Sequence, residues 1–478
     1  MIEIEYGTIK TKIYNIPEDI LNLLESRLTF NYPNAKWIKR SLCNSAWDGK
    51  KKFYSKHLTK DRGICFTIKT GLLHKITEVL DELKNENSKY AINDCCERLV
   101  PGNRIAFHFP DLPILNGIIE YENHQVQAFN DMLYLRRGIL CSPTGSGKTE
   151  IALSLSKYLM DNYLKECEMI LFLTHRDVIF DTVWNERIEL RFKNNFMLSE
   201  QDKMNVYRMG DKFLITAMAQ TFISKIDSMK LICKNTRAVF CDEVHAKETY
   251  HRKVKDKKVN ILDHLMNCDI RWGLSATPMK DTTGFTYHEK VQDFGSVIKV
   301  DYVNPVKVIV ERKPVKLMRN RIYNEAVRNM EQSESRNAMI ATMLLRNSDR
   351  KVLILTKHLE HGERLSKITG LPFMEGKTDS NDRRQIIDDV KSGKLRGFIA
   401  SSVGYFGLDI PSLDMIIMAS VGKSYINSVQ IIGRGMRKFE GKKDLKVIDF
   451  TDEDNGFMQK HSEQRKLHYQ QMDYEVVE

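Results

Sequence analysis

The sequence contains no Cys-x-x-Cys pair, although it has nine cysteines. Zinc sites and iron–sulfur clusters usually take their ligands from such pairs, so neither is predicted. The first residues, Met1 to Gly7, lack the basic start and the apolar centre of a signal peptide. No apolar run approaches the length of a membrane span. We therefore expect reduced thiols, a cytoplasmic location and no membrane partner.

Internal repeats at a fixed period and low-complexity tracts are also missing, which argues against a solenoid and against a disordered chain. With 42% hydrophobic residues, the 478-residue chain has enough apolar material for globular cores. It is too long for one core, so about three domains are expected. The net charge of +11 favours a polyanionic partner, although many basic proteins never bind nucleic acid.

Two series of short apolar runs alternate with helical stretches, which is the pattern of a parallel sheet with crossover helices. The predicted strands are Gly138 to Cys141, Met169 to Thr174, Phe213 to Thr216, Ala238 to Cys241, Trp272 to Leu274, Val352 to Thr356, Gly397 to Ala400, Met415 to Met418 and Val447 to Phe450. We predict an α/β fold with two tandem parallel-sheet domains, residues 106–300 and 301–478, and a small N-terminal α/β accessory domain, residues 1–105.

A phosphate-binding loop is predicted at Ser142 to Thr149, between a strand and an amphipathic helix. Such a loop needs glycines, so that backbone N–H groups can point at phosphate oxygens, and a helix N-terminus that favours negative charge. Lys148 would reach the β- and γ-phosphates of ATP, and the Thr149 hydroxyl would bind Mg²⁺. Ser142 replaces the usual first glycine. The other loop residues predicted to bind ATP are Thr144, Gly145, Ser146 and Gly147.

Two adjacent carboxylates, Asp242 and Glu243, directly follow an apolar strand. Ligands of open α/β sheets bind at the carboxyl ends of strands, so both side chains are predicted at the nucleotide site. Asp242 would hold Mg²⁺, and Glu243 would orient and deprotonate the attacking water. An isolated acidic dipeptide is more often a solvated turn, but this pair follows a phosphate-binding loop.

With these motifs in order, the sequence from about residue 121 to residue 450 resembles superfamily 2 helicases of the DExH type. The resemblance implies two RecA-like motor domains, with ATP and Mg²⁺ as cofactors. It implies that Gln125 reads adenine and that His245, Ser275 and Thr277 couple the ATP site to the nucleic-acid face. It also implies nucleic-acid contacts in the first motor domain at Thr174, His175, Arg176, Thr216 and Gln220.

The second motor domain carries the pattern Gln-x-x-Gly-Arg-x-x-Arg at Gln430 to Arg437, similar to helicase motif VI. Two arginines three residues apart share a helix face and suit one phosphate chain. Arg437 is predicted as the main arginine finger and Arg434 as its partner, with Gln430 near the γ-phosphate or the water. Gly407 and Asp409 resemble motif V, which senses nucleotide. Thr356 of motif IV and Ser401, which replaces the usual threonine, are predicted to contact the strand.

Residues 36–62 hold nine basic and two acidic side chains, interleaved with aromatic residues. Such a mixture suits phosphate contacts and base stacking, but it also fits a solvated face over a small core. The segment around Trp47 is similar to the accessory domain of UvsW-type phage branched-DNA helicases. Trp47, Lys50, Lys51 and Lys52 are therefore expected to contact DNA. Because the ATP-site motifs all lie downstream, deletion of this domain is expected to leave a folded motor.

The motifs and the resemblance together predict an ATP-dependent helicase that remodels or unwinds single-stranded, forked or branched DNA in recombination, repair and replication. Replication or recombination proteins are expected as further partners, and a phage-encoded chain would act in the host cytoplasm. Two alternatives stay open. One is a duplex DNA translocase of restriction type. The other is a nucleic-acid-stimulated ATPase switch or RNA helicase without DNA branch specificity.

Overall fold

The structure is a computed structural model. It describes residues 1–33, 35, 48–95, 115–117, 121–143, 145–175, 180, 184–192, 196–201, 203–244, 250–254, 257–276, 285–300, 302, 306–401, 410–420, 432–433, 435–436, 439 and 441–478. The chain divides into two compact units: Met1–Ser142 with Gly147–Asp301, and Tyr302–Glu478 with Pro143–Ser146.

The N-terminal part of the first unit is built on a five-stranded sheet of order β5-β6-β2-β1-β7 and a separate pair, β3-β4. Its elements are β1 Ile2–Tyr6, β2 Lys10–Tyr14, α1 Glu18–Arg27, β3 Thr29–Asn31, β4 Lys50–Lys52, β5 Tyr54–Thr59, β6 Gly63–Lys69, α2 Leu73–Leu83 and β7 Tyr90–Asp94, with 3₁₀ turns at Thr70–Leu72 and Glu86–Ser88. This mixed α/β architecture agrees with the predicted accessory domain.

The first motor sheet has eight strands in the order β10-β11-β12-β9-β13-β16-β8-β17. Its strands are β8 Arg137–Cys141, β9 Met169–Thr174, β10 Phe196–Gln201, β11 Met204–Met209, β12 Lys212–Met218, β13 Thr236–Cys241, β16 Ile270–Ser275 and β17 Val297–Lys299. A two-stranded ribbon, β14 His251–Val254 and β15 Lys257–Asn260, lies apart from it. Six strands run parallel, and β10 and β11 add an antiparallel edge.

The helices of this domain are α3 Asn123–Leu135, α4 Lys148–Asn162, α5 Glu186–Arg191, α6 Ala219–Ser224, α7 Lys230–Asn235, α8 Ile261–His264 and α9 Phe285–Phe294. Successive side chains of a strand point to opposite faces of the sheet, so each strand contributes side chains to two hydrophobic cores. In β9, for example, Ile170 and Phe172 face the core that contains α3 and α4, whereas Leu171 and Leu173 face the other core.

That second core joins the N-terminal part to the motor sheet without a break. Ile4, Phe66 and Ile76 are buried in the same cluster as Leu171 and Val239. Aromatic rings also meet across the junction, with Phe30 and His288 centroids 4.3 Å apart.

Polar contacts cross the same junction. Lys69 Nζ donates to Asp293 Oδ1 at 2.6 Å and to Asp263 Oδ1 at 2.9 Å, and Arg137 Nη2 donates to the Thr8 carbonyl at 2.7 Å. A shared core and a largely buried ion pair make residues 1–95 part of the motor's own folding unit. This arrangement argues against the expectation that their deletion leaves a folded motor, because one face of the motor sheet would be exposed to water.

The second motor sheet has seven strands, all parallel, in the order β20-β21-β19-β22-β23-β18-β24. Its elements are β18 Lys307–Lys316, α10 Tyr323–Gln332, α11 Glu334–Arg346, β19 Val352–Thr356, α12 Leu359–Thr369, β20 Phe373–Met374, α13 Ser380–Ser392, β21 Gly397–Ser401, β22 Met415–Met418, β23 Asp444–Glu453, α14 Gly456–Gln471 and β24 Glu475–Val477. Its strands separate two further cores.

The nine predicted strands are all present, and the α/β fold class with two RecA-like sheets is confirmed. The exact limits of the three predicted domains stay a prediction. In the part of the chain that the structure describes, no helix is long and apolar enough to cross a membrane.

Candidate active site

The phosphate-binding loop lies at the carboxyl end of β8, directly before α4. Gly145 and Gly147 have φ of 88° and 86°, a backbone region that glycine adopts without strain. Gly147 is the residue before the first turn of the helix, so the N–H groups at the start of that turn face the loop. Lys148 Nζ donates to the Ser142 carbonyl at 2.7 Å. The ammonium is thus held over the loop, where a phosphate would take the place of that carbonyl.

Gln125 lies against this loop. Its Oε1 accepts a hydrogen bond from the Glu122 backbone N–H at 3.0 Å, which completes a capping box at the start of α3. Its Nε2 approaches Gly147 so closely that a Cβ on that glycine would lie 2.1 Å from it. The structure therefore joins the predicted adenine-reading residue to the phosphate loop, although the adenine contact itself stays a prediction.

We expect Gly147→Ala to weaken ATP binding and to reduce discrimination between ATP and GTP, because the new methyl group displaces Gln125. Gly393→Ala is the matched control: its φ is 83°, and a Cβ there meets nothing within 4 Å. Both variants should lose roughly 1 to 2 kcal/mol of stability, since each forces alanine into the left-handed region. Urea unfolding and nucleotide titrations measure the two effects. Equal nucleotide selectivity in both variants would contradict the role of Gln125.

The acidic pair lies at the carboxyl end of β13, in the same sheet as the loop. Asp242 Oδ1 accepts from the Glu243 N–H at 2.9 Å, and Oδ2 accepts from Trp184 Nε1 at 3.3 Å. Burial and the nearby Glu243 charge raise the pKa of Asp242 to about 7, while Lys148 opposes the rise. The Lys148 charge does not offset this rise, so a bound cation is the group that such an environment favours.

Glu243 has φ of 52°, which is uncommon for a residue other than glycine. The next residue explains how this conformation is held: Val244 N–H donates to the Leu274 carbonyl at 3.0 Å, and its side chain packs against Gly273. Strained backbone persists only where the surroundings fix it, and it concentrates at functional sites. The geometry agrees with the predicted catalytic use of Glu243, which no observation tests directly.

Two further residues near the nucleotide site, Trp184 and Glu150, belong to none of the sequence motifs. Trp184 is 1% exposed and holds Asp242. Glu150, in the first turn of α4, accepts two hydrogen bonds from Arg191, at 2.9 and 3.0 Å. Arg191 also donates to the Asn116 carbonyl. A single tryptophan or glutamate carries no sequence signal, because its role depends on a partner far away in the chain.

Ser275, which is predicted to couple the ATP site to the nucleic-acid face, ends β16, and its carbonyl accepts from the Ser142 N–H at 3.0 Å. This bond connects Ser275 to the start of the phosphate loop. Thr149, which is predicted to bind Mg²⁺, lies half-buried in the first turn of α4. The described residues hold no cluster of three or more His, Cys, Asp or Glu side chains suited to a metal. A magnesium ion here would depend on Thr149, Asp242, the nucleotide phosphates and water, which is usual for this cation.

The residues predicted to contact nucleic acid differ in exposure. Thr174, Thr216, Thr356 and Ser401 are 1–3% exposed, at or near the carboxyl ends of their strands. Thr216 Oγ1 donates to Asn185 Oδ1 at 2.7 Å, whereas Thr174 Oγ1 and Thr356 Oγ1 have no hydrogen-bond partner among the described residues.

The remaining described candidates are more accessible. His175 is half-buried, and Gln220 and the three lysines of β4 are exposed. The contacts of all these residues with nucleic acid stay predictions. Ten predicted site residues lie outside the described ones: Trp47, Thr144, Arg176, His245, Thr277, Gly407, Asp409, Gln430, Arg434 and Arg437.

A glycine loop on a helix N-terminus, a lysine above it and two carboxylates at the end of a parallel strand in the same sheet, separated from β8 by β16, define the class of protein: a P-loop ATPase. The particular family follows from comparison. Residues 118–280 match the family described as "Type III restriction enzyme, res subunit", and residues 334–439 match the "Helicase conserved C-terminal domain".

Relatives from viruses and archaea cover most of the chain. A candidate helicase of Sulfolobus islandicus filamentous virus is 24% identical over 71% of this chain and 65% of its own length. The DNA 3'-5' translocase XPB2 of Sulfurisphaera tokodaii is 23% identical over 68% and 80%, and the ATP-dependent DNA helicase uvsW of Enterobacteria phage T4 is 23% identical over 70% and 69%. The chain is a superfamily 2 helicase, similar to the UvsW-type proteins, and hence an ATP-hydrolysing enzyme that acts on nucleic acid.

Proposed function

We propose that this helicase uses ATP and Mg²⁺ to remodel or unwind branched DNA in recombination, repair and replication. The observation that carries the proposal is the position of a basic strand. Lys50, Lys51 and Lys52 form β4, all three are exposed, and none forms a salt bridge with another described residue. Unneutralised lysines supply phosphate contacts, because binding releases counterions from the nucleic acid.

This basic strand is attached rigidly to the motor. Strand β4 pairs with β3, and the ring of Phe30 in β3 contacts the ring of His288 in α9 of the motor domain, with 4.3 Å between centroids. The next residue after β4, Phe53, is 5% exposed in the shared core, 5.7 Å from the ring of Phe285. DNA held by the lysines would therefore keep a fixed position relative to the first motor sheet. The lysines of β4 would give the DNA a second contact in addition to the one on the motor domains. Two contacts at a fixed separation suit branched DNA, which has more than one arm, better than a single strand.

The names of the relatives support DNA as the substrate, since the uvsW protein is a DNA helicase and the XPB2 protein is a DNA translocase. The latter, together with the match to a restriction subunit, favours duplex translocation as the second candidate function. By similarity to the phage protein, we propose action in a host cytoplasm, with replication or recombination proteins as further partners.

We expect forked and four-way DNA to stimulate ATP hydrolysis more than linear duplex, single strands or RNA. We also expect the triple variant Lys50→Ala, Lys51→Ala, Lys52→Ala to lose fork affinity selectively. The matched control replaces Lys165, Lys230 and Lys234, three exposed lysines that precede the central strands β9 and β13 of the first motor sheet. It removes the same charge.

Binding and strand displacement at several salt concentrations separate the outcomes. The slope of log affinity against log salt should fall by roughly 0.7 to 0.9 for each phosphate that the variant no longer neutralises. An equal decrease in affinity for forked and linear DNA would make β4 a general clamp. ATP hydrolysis without displacement of any strand would favour a translocase or a switch and would overturn the proposal.

A further inference from the structure

Lys442 connects two motif segments of the second motor domain. It lies between the turn at Gly441, with φ of 79°, and the start of β23. Its ammonium donates three hydrogen bonds, to the carbonyls of Pro411 at 2.9 Å, of Leu413 and of Gly435. Three is the full donor capacity of a lysine, so each proton of the ammonium is used.

These three carbonyls come from two separate segments. Pro411 is the last residue of the stretch that resembles motif V, and Leu413 follows it on the way into β22, whereas Gly435 belongs to motif VI. Motif VI carries the predicted arginine finger, and motif V is predicted to sense nucleotide. Among the described residues, no other hydrogen bond joins these two segments directly, so Lys442 supplies their polar link.

The motif VI segment is pressed against the sheet where Lys442 holds it. A Cβ on Gly435 would lie 2.8 Å from Leu445 Cδ2 of β23 and 3.0 Å from Ile416 Cδ1 of β22. Ile432, one turn earlier, is 0% exposed within the sheet's core. The backbone at Gly435 therefore approaches the strands as closely as glycine permits, so the position of Gly435 within motif VI depends on these contacts.

Charged neighbours do not compete for the ammonium. Asp414 Oδ1 accepts from the Lys351 N–H at 2.8 Å, and Asp444 Oδ1 accepts from Arg350 Nη1 at 2.6 Å. Burial lowers the pKa of Lys442 to about 8, against the attraction of Asp414 and Asp444. A lysine that is costly to bury and is directed at carbonyls indicates a specific structural requirement at this point.

We propose that Lys442 is a positioning residue that ties the segment after motif V to motif VI, and that nucleic-acid-stimulated ATP hydrolysis depends on this tie. The inference rests on the proposed function, since it assumes that motifs V and VI act on ATP. Displacement of a catalytic group by about 1 Å can cost roughly 100-fold in rate. Lys442→Met keeps the length of the side chain and removes all three hydrogen bonds.

We expect Lys442→Met to lower the stimulated turnover number roughly 10-fold or more, as misplacement of a finger would. Its dissociation constant for a fluorescent ATP analogue should stay within about twofold, because Lys148 and the phosphate loop are untouched. Lys442→Arg should retain most activity, since guanidinium donors can reach the same carbonyls. Lys443→Met is the matched control, an exposed lysine one residue away. Thermal unfolding of every variant checks that it is folded.

A pH profile keeps the inference testable even if Lys442→Met fails to fold. Above about pH 8 the neutral amine keeps two donors, so wild-type stimulated turnover should fall relative to Lys442→Arg. Stability should move the other way. Because the folded pKa lies below the unfolded value, the unfolded state binds more protons between the two, and the contribution of Lys442 to stability rises with pH. If Lys442 only stabilised the fold, stimulated turnover would not fall at a pH where stability rises.

The possible outcomes distinguish failure of the Lys442 inference from failure of the proposed function. If wild-type hydrolysis is not stimulated by any nucleic acid, the proposed function fails and the inference fails with it. If the wild type is stimulated and folded Lys442→Met is stimulated equally, only the inference is overturned. Parallel pH profiles for wild type and Lys442→Arg would also overturn it.

Discussion

Lys148→Ala should lose measurable ATP binding and hydrolysis, because the ammonium above the phosphate loop is the positive charge that the described part of this loop offers to the β- and γ-phosphates. Its present partner is the Ser142 carbonyl at 2.7 Å, a neutral group that phosphate would replace. Lys157→Ala is the control on the same helix, since that half-buried lysine pairs with Asp161 and not with the phosphate loop. Nucleotide titration should show no saturation for Lys148→Ala and normal saturation for Lys157→Ala.

Glu243→Gln should fail in a different way. The amide keeps the shape of the site, so nucleotide should bind at least as tightly, while turnover should fall because the base is gone. Single-turnover hydrolysis alongside nucleotide affinity tests the difference. Near-normal hydrolysis by Glu243→Gln would show that this carboxylate is not the base, and loss of nucleotide binding would show that it is a ligand of the ground state.

Removal of residues 1–95 should prevent the first motor domain from folding. Large side chains that lose a buried environment cost roughly 1.5 to 3 kcal/mol each, and a whole domain is stable by only about 5 to 15 kcal/mol. On the motor side, Leu171, Leu173, Val239 and Phe294 lie in the shared core. The truncated chain is expected to be insoluble or to unfold without a cooperative transition.

A single substitution at the junction between the N-terminal part and the motor sheet should lower the stability of the domain without abolishing folding. Asp293 is 3% exposed; burial alone would raise its pKa, but His251, 3.6 Å away, and the hydrogen-bonded Lys69 ammonium hold that pKa below its usual value. Lys69→Met leaves this carboxylate without its main partner, at a cost of roughly 3 to 5 kcal/mol. Lys60→Met, at an exposed turn, is the control. Equal urea midpoints for the two variants would show that the N-terminal part is not integral to the motor.

The chemistry of the motor could be predicted from the sequence because its elements are local. A parallel strand buried on both faces is a short apolar run, and this signal located β9 and β19 to the residue. Strand β18 is not among the predicted strands, since its apolar run at residues 308–310 is followed by three charged residues and a proline. The edge strand β10 and its neighbour β11 are not predicted for a related reason: in both, polar side chains follow or interrupt a short apolar stretch.

The core shared by the N-terminal part and the motor sheet could not be predicted from local sequence patterns. Ile4, Phe66 and Ile76 look like the core of a small independent domain, because their spacing fits their own strands and helix. Nothing in that spacing says that the same side chains also pack on a sheet that begins at Arg137. A hydrophobic face specifies that it must be covered, and its length specifies roughly how much, but neither specifies which segment covers it.

The sequence by itself determined that this protein is a P-loop ATPase with two motor domains, because glycine positions, a lysine and paired carboxylates carry their chemistry within a few neighbouring residues. Only the tertiary structure decided that Trp184 holds Asp242, that Gln125 abuts Gly147 and that Lys442 ties two motifs together. Each of these contacts joins side chains or carbonyls brought together by sheet order and packing, which depend on the whole chain rather than on any local pattern.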